Sequence, residues 1–338
     1  DRSPRPGLLD MKRVYQEYKA TLEDDFSVTI ESFRYYKSFN DTKLCWEIAC
    51  DGSVLCEGTI DRLDIQPRQK RNYLLFDRRE INLFGECFLT LSFRQNNSKP
   101  WANHDFETGF DQFKIDAPKP VINQHSENTL DIEEDAGYIK IHAGNTGYTF
   151  DKSYGCVCSI ADQEKEMISE PIQFKLWRAP AYNEGETAKK WVDAGLDHIS
   201  QKTYSCHISE NSGNRYQIST DISLGGPSVP PVISATVKHT FFAGGELIVD
   251  IDAKVNENAP PLPRIGLQII MPHSNEKIEF FGYGPQEAYT DRFKGLKKKI
   301  YSMSVEDNFE HYIRPQENSS HYGTGWAIVS GYDGHGLF

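Results

Sequence analysis

Two segments, Leu44-Cys45-Trp46-Glu47-Ile48-Ala49-Cys50 and Ser53-Val54-Leu55-Cys56-Glu57-Gly58, flank the dipeptide Asp51-Gly52. The alternation in each suits a strand, whose successive side chains point to opposite faces. Asp-Gly suits the centre of a type I′ turn, where both residues need positive φ. Together they predict a β-hairpin. Ser27-Val28-Thr29-Ile30-Glu31-Ser32-Phe33 places Val28, Ile30 and Ser32 on one side, and Asn72 to Phe76 and Glu86 to Phe93 supply further strands. About seven short strands in roughly a hundred residues, one of them carrying Trp46, predict an immunoglobulin-like sandwich without its disulfide.

Composition agrees with strands. Aromatic residues make up 12% of the 338 positions, with 17 Tyr and 19 Phe, and such side chains fit a half-buried pleated surface. Only 4 Met and few Ala/Leu runs argue against a helical bundle. This length allows two or three domains, each with its own core. A net charge of −12 disfavours nucleic acid, whose phosphates need clustered Lys and Arg. No run of 18 apolar residues spans a membrane, and Asp1-Arg2-Ser3-Pro4-Arg5 leads into no apolar signal segment. The cytoplasm is the expected compartment, with the periplasm or secretion left open. Seven Cys, an odd number, predict reduced core thiols, with Cys156 and Cys158 as a packed, metal-free pair on one strand face.

Residues 1–14 differ from the rest of the chain: two prolines precede Leu8 to Val14, which predicts about two helical turns that need a partner. Alternation then runs to Ile115. Asp116-Ala117-Pro118-Lys119-Pro120 predicts a linker, because each proline removes an amide donor and restricts its predecessor. That linker separates domains of 15–117 and 118–338. Strand signals continue through the second, including Tyr138 to His142 and Leu247 to Ile251, with Gly244-Gly245 as a turn. One helix is expected near Glu186 to Ala194. The fold class is all-β: an immunoglobulin-like sandwich followed by a large antiparallel supersandwich.

Acid–base catalysis by carboxylates generally needs a pair of them held facing each other across a substrate. Glu133-Glu134-Asp135 reads as a solvated turn between strands. Glu287 and Asp291 lie beside Arg292, and a carboxylate next to Arg⁺ stays ionised as an acceptor, which suits a structural ion pair. The ten His form no metal-ligand spacing. Trp101, Trp177, Trp191 and Trp326 have ring faces suited either to sugar stacking or to the core. No catalytic residue is assigned.

Gly282-Tyr283-Gly284-Pro285-Gln286-Glu287-Ala288-Tyr289-Thr290-Asp291-Arg292 resembles the G-x-G-P-x-E-x-Y-x-D-R signature of the large bacterial β-galactosidases, glycoside hydrolase family 2. Residues Asp1 to Gln16 resemble the end of that family's catalytic barrel and Glu107 to Phe113 the last strand of its fourth domain. Leu176-Trp177-Arg178-Ala179-Pro180-Ala181-Tyr182-Asn183-Glu184-Gly185 is similar to the W-R-A-P-T-D-N-D-x-G motif opening its fifth. Pro263 to Leu267 recurs further on. These matches fall in family order.

The resemblance implies the C-terminal part of such an enzyme. Residues 1–14 are then the barrel's remnant, and both catalytic glutamates, the main galactose-binding groups and a Mg²⁺ site lie on the barrel itself. The segment alone is expected to be inactive. Its implied partners are the missing N-terminal domains and barrel, galactosides in the intact enzyme, and further copies in a homo-oligomer. A pocket loop is implied at Asn183, Glu184, Gly185, Glu186 and Thr187, although this version is shorter and Ala181-Tyr182 replaces Thr-Asp; a plain helix start is the competing reading. Arg178, Gly284, Pro285, Glu287, Asp291 and Arg292 are implied as structural signature residues. No cofactor is expected within the segment beyond a Na⁺ site on the backbone of Arg314 and Pro315; Mg²⁺ and Na⁺ belong to the intact enzyme. A stand-alone carbohydrate-binding module and a natural small subunit of a two-chain enzyme are the alternatives.

Overall fold

The computed structural model describes residues 6–23, 26–76, 81–119 and 128–338. Asp1 to Arg5 of the expected barrel remnant and Pro120 of the expected linker lie outside the described residues. Helix α1 (Pro6–Val14) is followed by seven strands: β1 (Tyr18–Leu22), β2 (Ser27–Ser32), β3 (Thr42–Cys50), β4 (Ser53–Ile60), β5 (Lys70–Leu74), β6 (Cys87–Gln95) and β7 (Glu107–Ile115). They form two antiparallel sheets, ordered β1-β2-β5 and β4-β3-β6-β7. Val28 and Ile30 of one sheet and Leu44, Ile48, Leu89, Leu91 and Phe93 of the other bury in one core. Each such side chain taken from water contributes about 1.5–3 kcal/mol. As the alternation requires, Val28, Ile30 and Ser32 are all buried.

The β3–β4 turn has positive φ at both Asp51 (49°) and Gly52 (89°), as the dipeptide predicts. One expectation is overturned here: Cys50 and Cys87 form a disulfide. They are register partners on β3 and β6, with Cα atoms 4.0 Å apart. An odd cysteine count says nothing about which two strand pairing sets face to face. Cys45, Cys56, Cys156, Cys158 and Cys206 are free thiols.

Strands β8 (Asp131–Glu134), β9 (Tyr138–Ala143), β10 (Thr146–Asp151), β11 (Cys156–Asp162) and β12 (Lys165–Glu166) make a five-stranded sheet in reverse sequence order. Glu133 and Glu134 thus belong to a strand, and the turn begins at Asp135, whose Oδ1 accepts from the amides of Gly137 and Tyr138 at 2.7 Å each. Strand β13 (Gln173–Lys175) and helix α2 (Gly185–Asp193) precede the meander β14 (Ser200–Asn211), β15 (Arg215–Gly225), β16 (Ile233–Phe242) and β17 (Leu247–Val255). Strand β18 (Gly266–Gln268) returns to pair with β13. Ile139, Ile141, Phe150 and Val157 pack with Tyr216, Ile218 and Phe241. A further cluster joins Leu176, Trp191 and Leu196 to Ile222, Leu224 and Val237.

The last strands are β19 (Lys277–Gly284), β20 (Lys297–Ser304), β21 (Trp326–Ser330) and β22 (Gly336–Leu337), in the order β20-β19-β21-β22. Compactness divides the chain into two units, and one of them joins Ile278–Glu310 and Ser319–Ile328 to the first sandwich. Three consecutive lysines of β20 give the reason. Lys297 pairs with Glu107 at 2.5 Å, Lys298 with Glu86 and Lys299 with Glu47. Gln112 reinforces the row, its Oε1 accepting from the Lys298 amide at 2.8 Å and its Nε2 donating to the Lys298 carbonyl at 3.0 Å. Among the described residues no helix is long and apolar enough to cross a membrane.

Candidate functional site

In the first unit, the signature at 282–292 begins on β19. Gly284 is required by packing, since a Cβ there would lie 2.9 Å from the Tyr301 ring. The Gly284–Pro285 peptide is cis. Beyond it the chain turns and buries Glu287. Its Oε1 pairs with Arg292, and its Oε2 accepts from the Tyr289 hydroxyl at 3.2 Å and from the Ser319 amide at 3.1 Å. A Tyr289–Arg292 bridge closes the turn, with the guanidinium 5.1 Å from the Tyr289 ring. The Ala288 amide donates to the Ser320 carbonyl at 2.6 Å, and the Tyr322 amide donates to that of Ala288 at 3.2 Å. Asp291 is exposed at the turn; the ion pair joins Glu287 to Arg292.

These contacts define what Glu287 can do. Its carboxylate oxygens are both engaged, by a guanidinium on one side and by a phenol and an amide on the other, and so tie the turn to Ser319. Around it, the rings of Tyr283, Phe293 and Tyr322 lie 4.8 to 6.2 Å apart. His321 Nε2 lies 2.7 Å from Asn308 Oδ1, and burial lowers its pKa below the ordinary imidazole value.

In the second unit, the 176–187 segment makes a separate constellation. Leu176 and Trp191 are buried, Trp177 meets Trp191 edge-on at 6.3 Å, and Trp191 Nε1 donates to the Pro261 carbonyl at 2.8 Å. Trp191 is therefore a core residue with its one polar atom satisfied. Arg178 lies over the same indole at 5.1 Å and donates through Nη1 and Nη2 to Glu184 at 2.8 and 2.6 Å, and through Nε to the Pro263 carbonyl at 3.1 Å. Glu184 also accepts from the Ala181 amide at 2.7 Å. The Arg178 hydrogen bonds hold its carboxyl below the usual range. Helix α2 starts immediately afterwards at Gly185, with Glu184 as its N-cap.

Of the implied loop residues, only Glu184 is engaged in this way; Asn183, Gly185, Glu186 and Thr187 are exposed. Exposed Tyr182 lies between two further groups. Its amide donates to Gln316 Oε1 at 3.3 Å, and the Arg314 guanidinium sits 4.3 Å from its ring. Arg264 pairs with Glu317 in the same unit. Sequence reading missed Gln316, Glu317 and the Tyr182–Arg314 stack; the one available signal was that 263–267 and 314–315 each stood out separately.

Arg314 and Pro315, the implied Na⁺ position, are both exposed. Among the described residues, no group of three or more His, Cys, Asp or Glu is placed to hold a metal.

The family model described as β-galactosidase small chain matches residues 142–335, and that of β-galactosidase domain 4 matches 28–116. This chain belongs to the β-galactosidase family. The β-galactosidase of Actinobacillus pleuropneumoniae is 27% identical over 96% of this chain and 32% of its own length. Those of Staphylococcus xylosus and Priestia megaterium are 25% and 24% identical, over 98% and 100% of this chain and 33% of theirs. The chain thus spans about a third of the length of these β-galactosidases. Among solved structures, the Amycolatopsis orientalis exo-chitosanase CsxA matches at a TM-score of 0.24 and 8% identity, covering 77% of this chain and 27% of that one.

Proposed function

We propose that this chain is the non-catalytic portion of a β-galactosidase that hydrolyses terminal β-D-galactosides such as lactose by a retaining mechanism. In that mechanism one carboxyl group attacks the sugar and a second first donates and then accepts a proton. Both belong to the remaining two-thirds of the enzyme, together with its Mg²⁺ and Na⁺. This portion braces the catalytic barrel and contributes to assembly, and the 183–187 segment borders the substrate pocket.

The observation that carries the bracing role is helix α1. One side is fixed to β7: Arg13 pairs with Asp111, and Lys12 Nζ donates to the Glu107 carbonyl at 2.5 Å. The Gly295 amide donates to Asp10 at 2.5 Å. Leu8, Met11 and Val14 meanwhile remain exposed, three residues apart on the helix, as along one stripe. A nine-residue helix is marginal alone, so an apolar stripe on an anchored helix supports a covering partner, which we assign to the barrel.

The test compares the 338-residue chain with the full-length enzyme on a chromogenic galactoside. The chain alone should give no turnover. In the full-length enzyme, Leu8→Glu with Met11→Glu should lower both melting temperature and activity. Turnover by the chain alone at enzymatic speed, with host activity excluded, would overturn the assignment; an unaffected double variant would remove the bracing role.

A further inference from the structure

A cleft of about 740 Å³ opens in the first unit, within the size range of small-molecule sites. Its walls are aromatic and exposed: Tyr36 at 99%, Tyr35 at 69%, Trp101 at 65% and Phe106 at 42%. Single exposed rings are ordinary. Several sharing one concave surface are not, since an exposed apolar patch marks a place where something binds.

Trp101 is held out by the surrounding backbone. It sits in a tight turn in which the Lys99 amide donates to the Ala102 carbonyl at 2.8 Å and the Ala102 amide returns to Lys99 at 3.2 Å. Buried Gln95 donates from beneath to the carbonyls of Ala102 and Asn103, at 3.0 and 2.6 Å. Phe106 braces the indole edge-on at 5.9 Å. A ring fixed before its ligand arrives loses little entropy on binding.

The charges select the class of ligand. Asp41 accepts from Arg34 at 2.8 Å, Lys37 at 2.6 Å and Lys99 at 3.3 Å. Arg34 also donates to Glu17 at 2.7 Å and lies 4.0 Å from the Phe39 ring. Lys12 is engaged by the Glu107 carbonyl and the Phe106 ring. With the charged groups of the wall engaged inside the protein, the cleft is poorly suited to a phosphate or a carboxylate. It offers flat apolar faces beside oriented polar groups.

We propose that this cleft binds a neutral oligosaccharide, with Trp101 as the stacking platform and Tyr36 as the opposing wall. It depends on family membership only for the choice of probe, and not on the chain being inactive, because binding and turnover are read separately.

The experiment titrates the 338-residue chain with lactose and with a β-linked galactotriose, following tryptophan fluorescence and saturation-transfer NMR. A parallel chromogenic assay records turnover. Saturable millimolar binding is expected, tighter for the trisaccharide. Trp101→Ala and Tyr36→Ala should each weaken it about tenfold, the loss of one stacking contact, while Tyr204→Ala, an exposed aromatic in the second unit, should not. Both variants alter exposed side chains, and circular dichroism verifies their folding. The proposal is overturned by absence of saturable binding, by binding that survives Trp101→Ala, or by Trp101→Ala lowering the melting temperature of the full-length enzyme while neither sugar binds, which would make the cleft a protein contact.

Discussion

Arg178 grips Glu184 with both arms of its guanidinium, at 2.8 and 2.6 Å, six residues apart in sequence. The fork fixes the strand-to-helix turn before α2, since the same carboxylate also accepts the Ala181 amide. Lysine offers a single ammonium and cannot reproduce a two-point grip. Arg178→Lys should therefore cost about 1–2 kcal/mol and speed amide exchange at Ala181 and Ala188, read by hydrogen-exchange mass spectrometry. The carboxyl of Glu184 is held below its usual range, so its stabilisation is present above the unfolded carboxylate pKa and lost as pH falls through the lower folded value. The variant should show a weaker acid-side loss; an identical pH profile would mean the fork carries no stability.

A second pair tests burial. Glu287 is only 4% exposed, and Arg292 is its ion partner. Arg292→Ala leaves a buried carboxylate without that cation, a change that typically costs about 3–5 kcal/mol. Glu287→Gln removes the charge itself and should cost less. The double variant Arg292→Ala/Glu287→Gln should be more stable than Arg292→Ala alone. Urea denaturation of all three decides it, and strict additivity would show the pair to be uncoupled.

Much of this architecture was legible because the relevant signals are local. Val28, Ile30 and the Asp51-Gly52 turn follow from the two-residue repeat and from the φ that a type I′ turn imposes. The short helices over Leu8 to Val14 and near Glu186 followed from their own composition. The Glu287–Arg292 pair also came from a short stretch of chain. What escaped was set by pairing over long separations. Cys50 and Cys87 meet because β3 lies beside β6, and Lys297, Lys298 and Lys299 reach carboxylates some 190 to 250 residues earlier. In sequence those lysines look like a solvated basic run. The Arg264–Glu317 pair is hidden in the same way, by a separation of 53 residues.

Gly52 and Gly144 separate two costs of adding a methyl group. Both have positive φ, 89° and 62°. At Gly144 nothing lies within 4 Å of an added Cβ, whereas at Gly52 it would collide with Ile300 and come within 3.2 Å of Phe281. Gly144→Ala should cost about 1–2 kcal/mol, the left-handed backbone penalty alone. Gly52→Ala adds overpacking of about 1–3 kcal/mol. Urea midpoints at constant m-value should rank them in that order; equal losses would mean that Ile300 moves aside freely.

His239 on β16 supplies the clearest dependence on pH. The imidazole is buried against Phe150, with ring centroids 5.0 Å apart, and its Nδ1 has no partner among the described residues. Burial pushes its pKa from 6.5 down to about 4, because the low-dielectric core penalises the imidazolium. Below pH 6.5 the unfolded chain takes up a proton that the folded chain refuses, so stability is complete above that value and falls with pH until about 4. Each unit is worth about 1.4 kcal/mol, which makes the whole loss on the order of 3 kcal/mol. His239→Leu removes both the titration and the orphaned nitrogen. Its stability should vary less with pH between 6.5 and 4, and it should exceed the parent chain on the acid side. Chemical denaturation across that window measures both slopes, and parallel slopes would show that His239 titrates normally in the folded state.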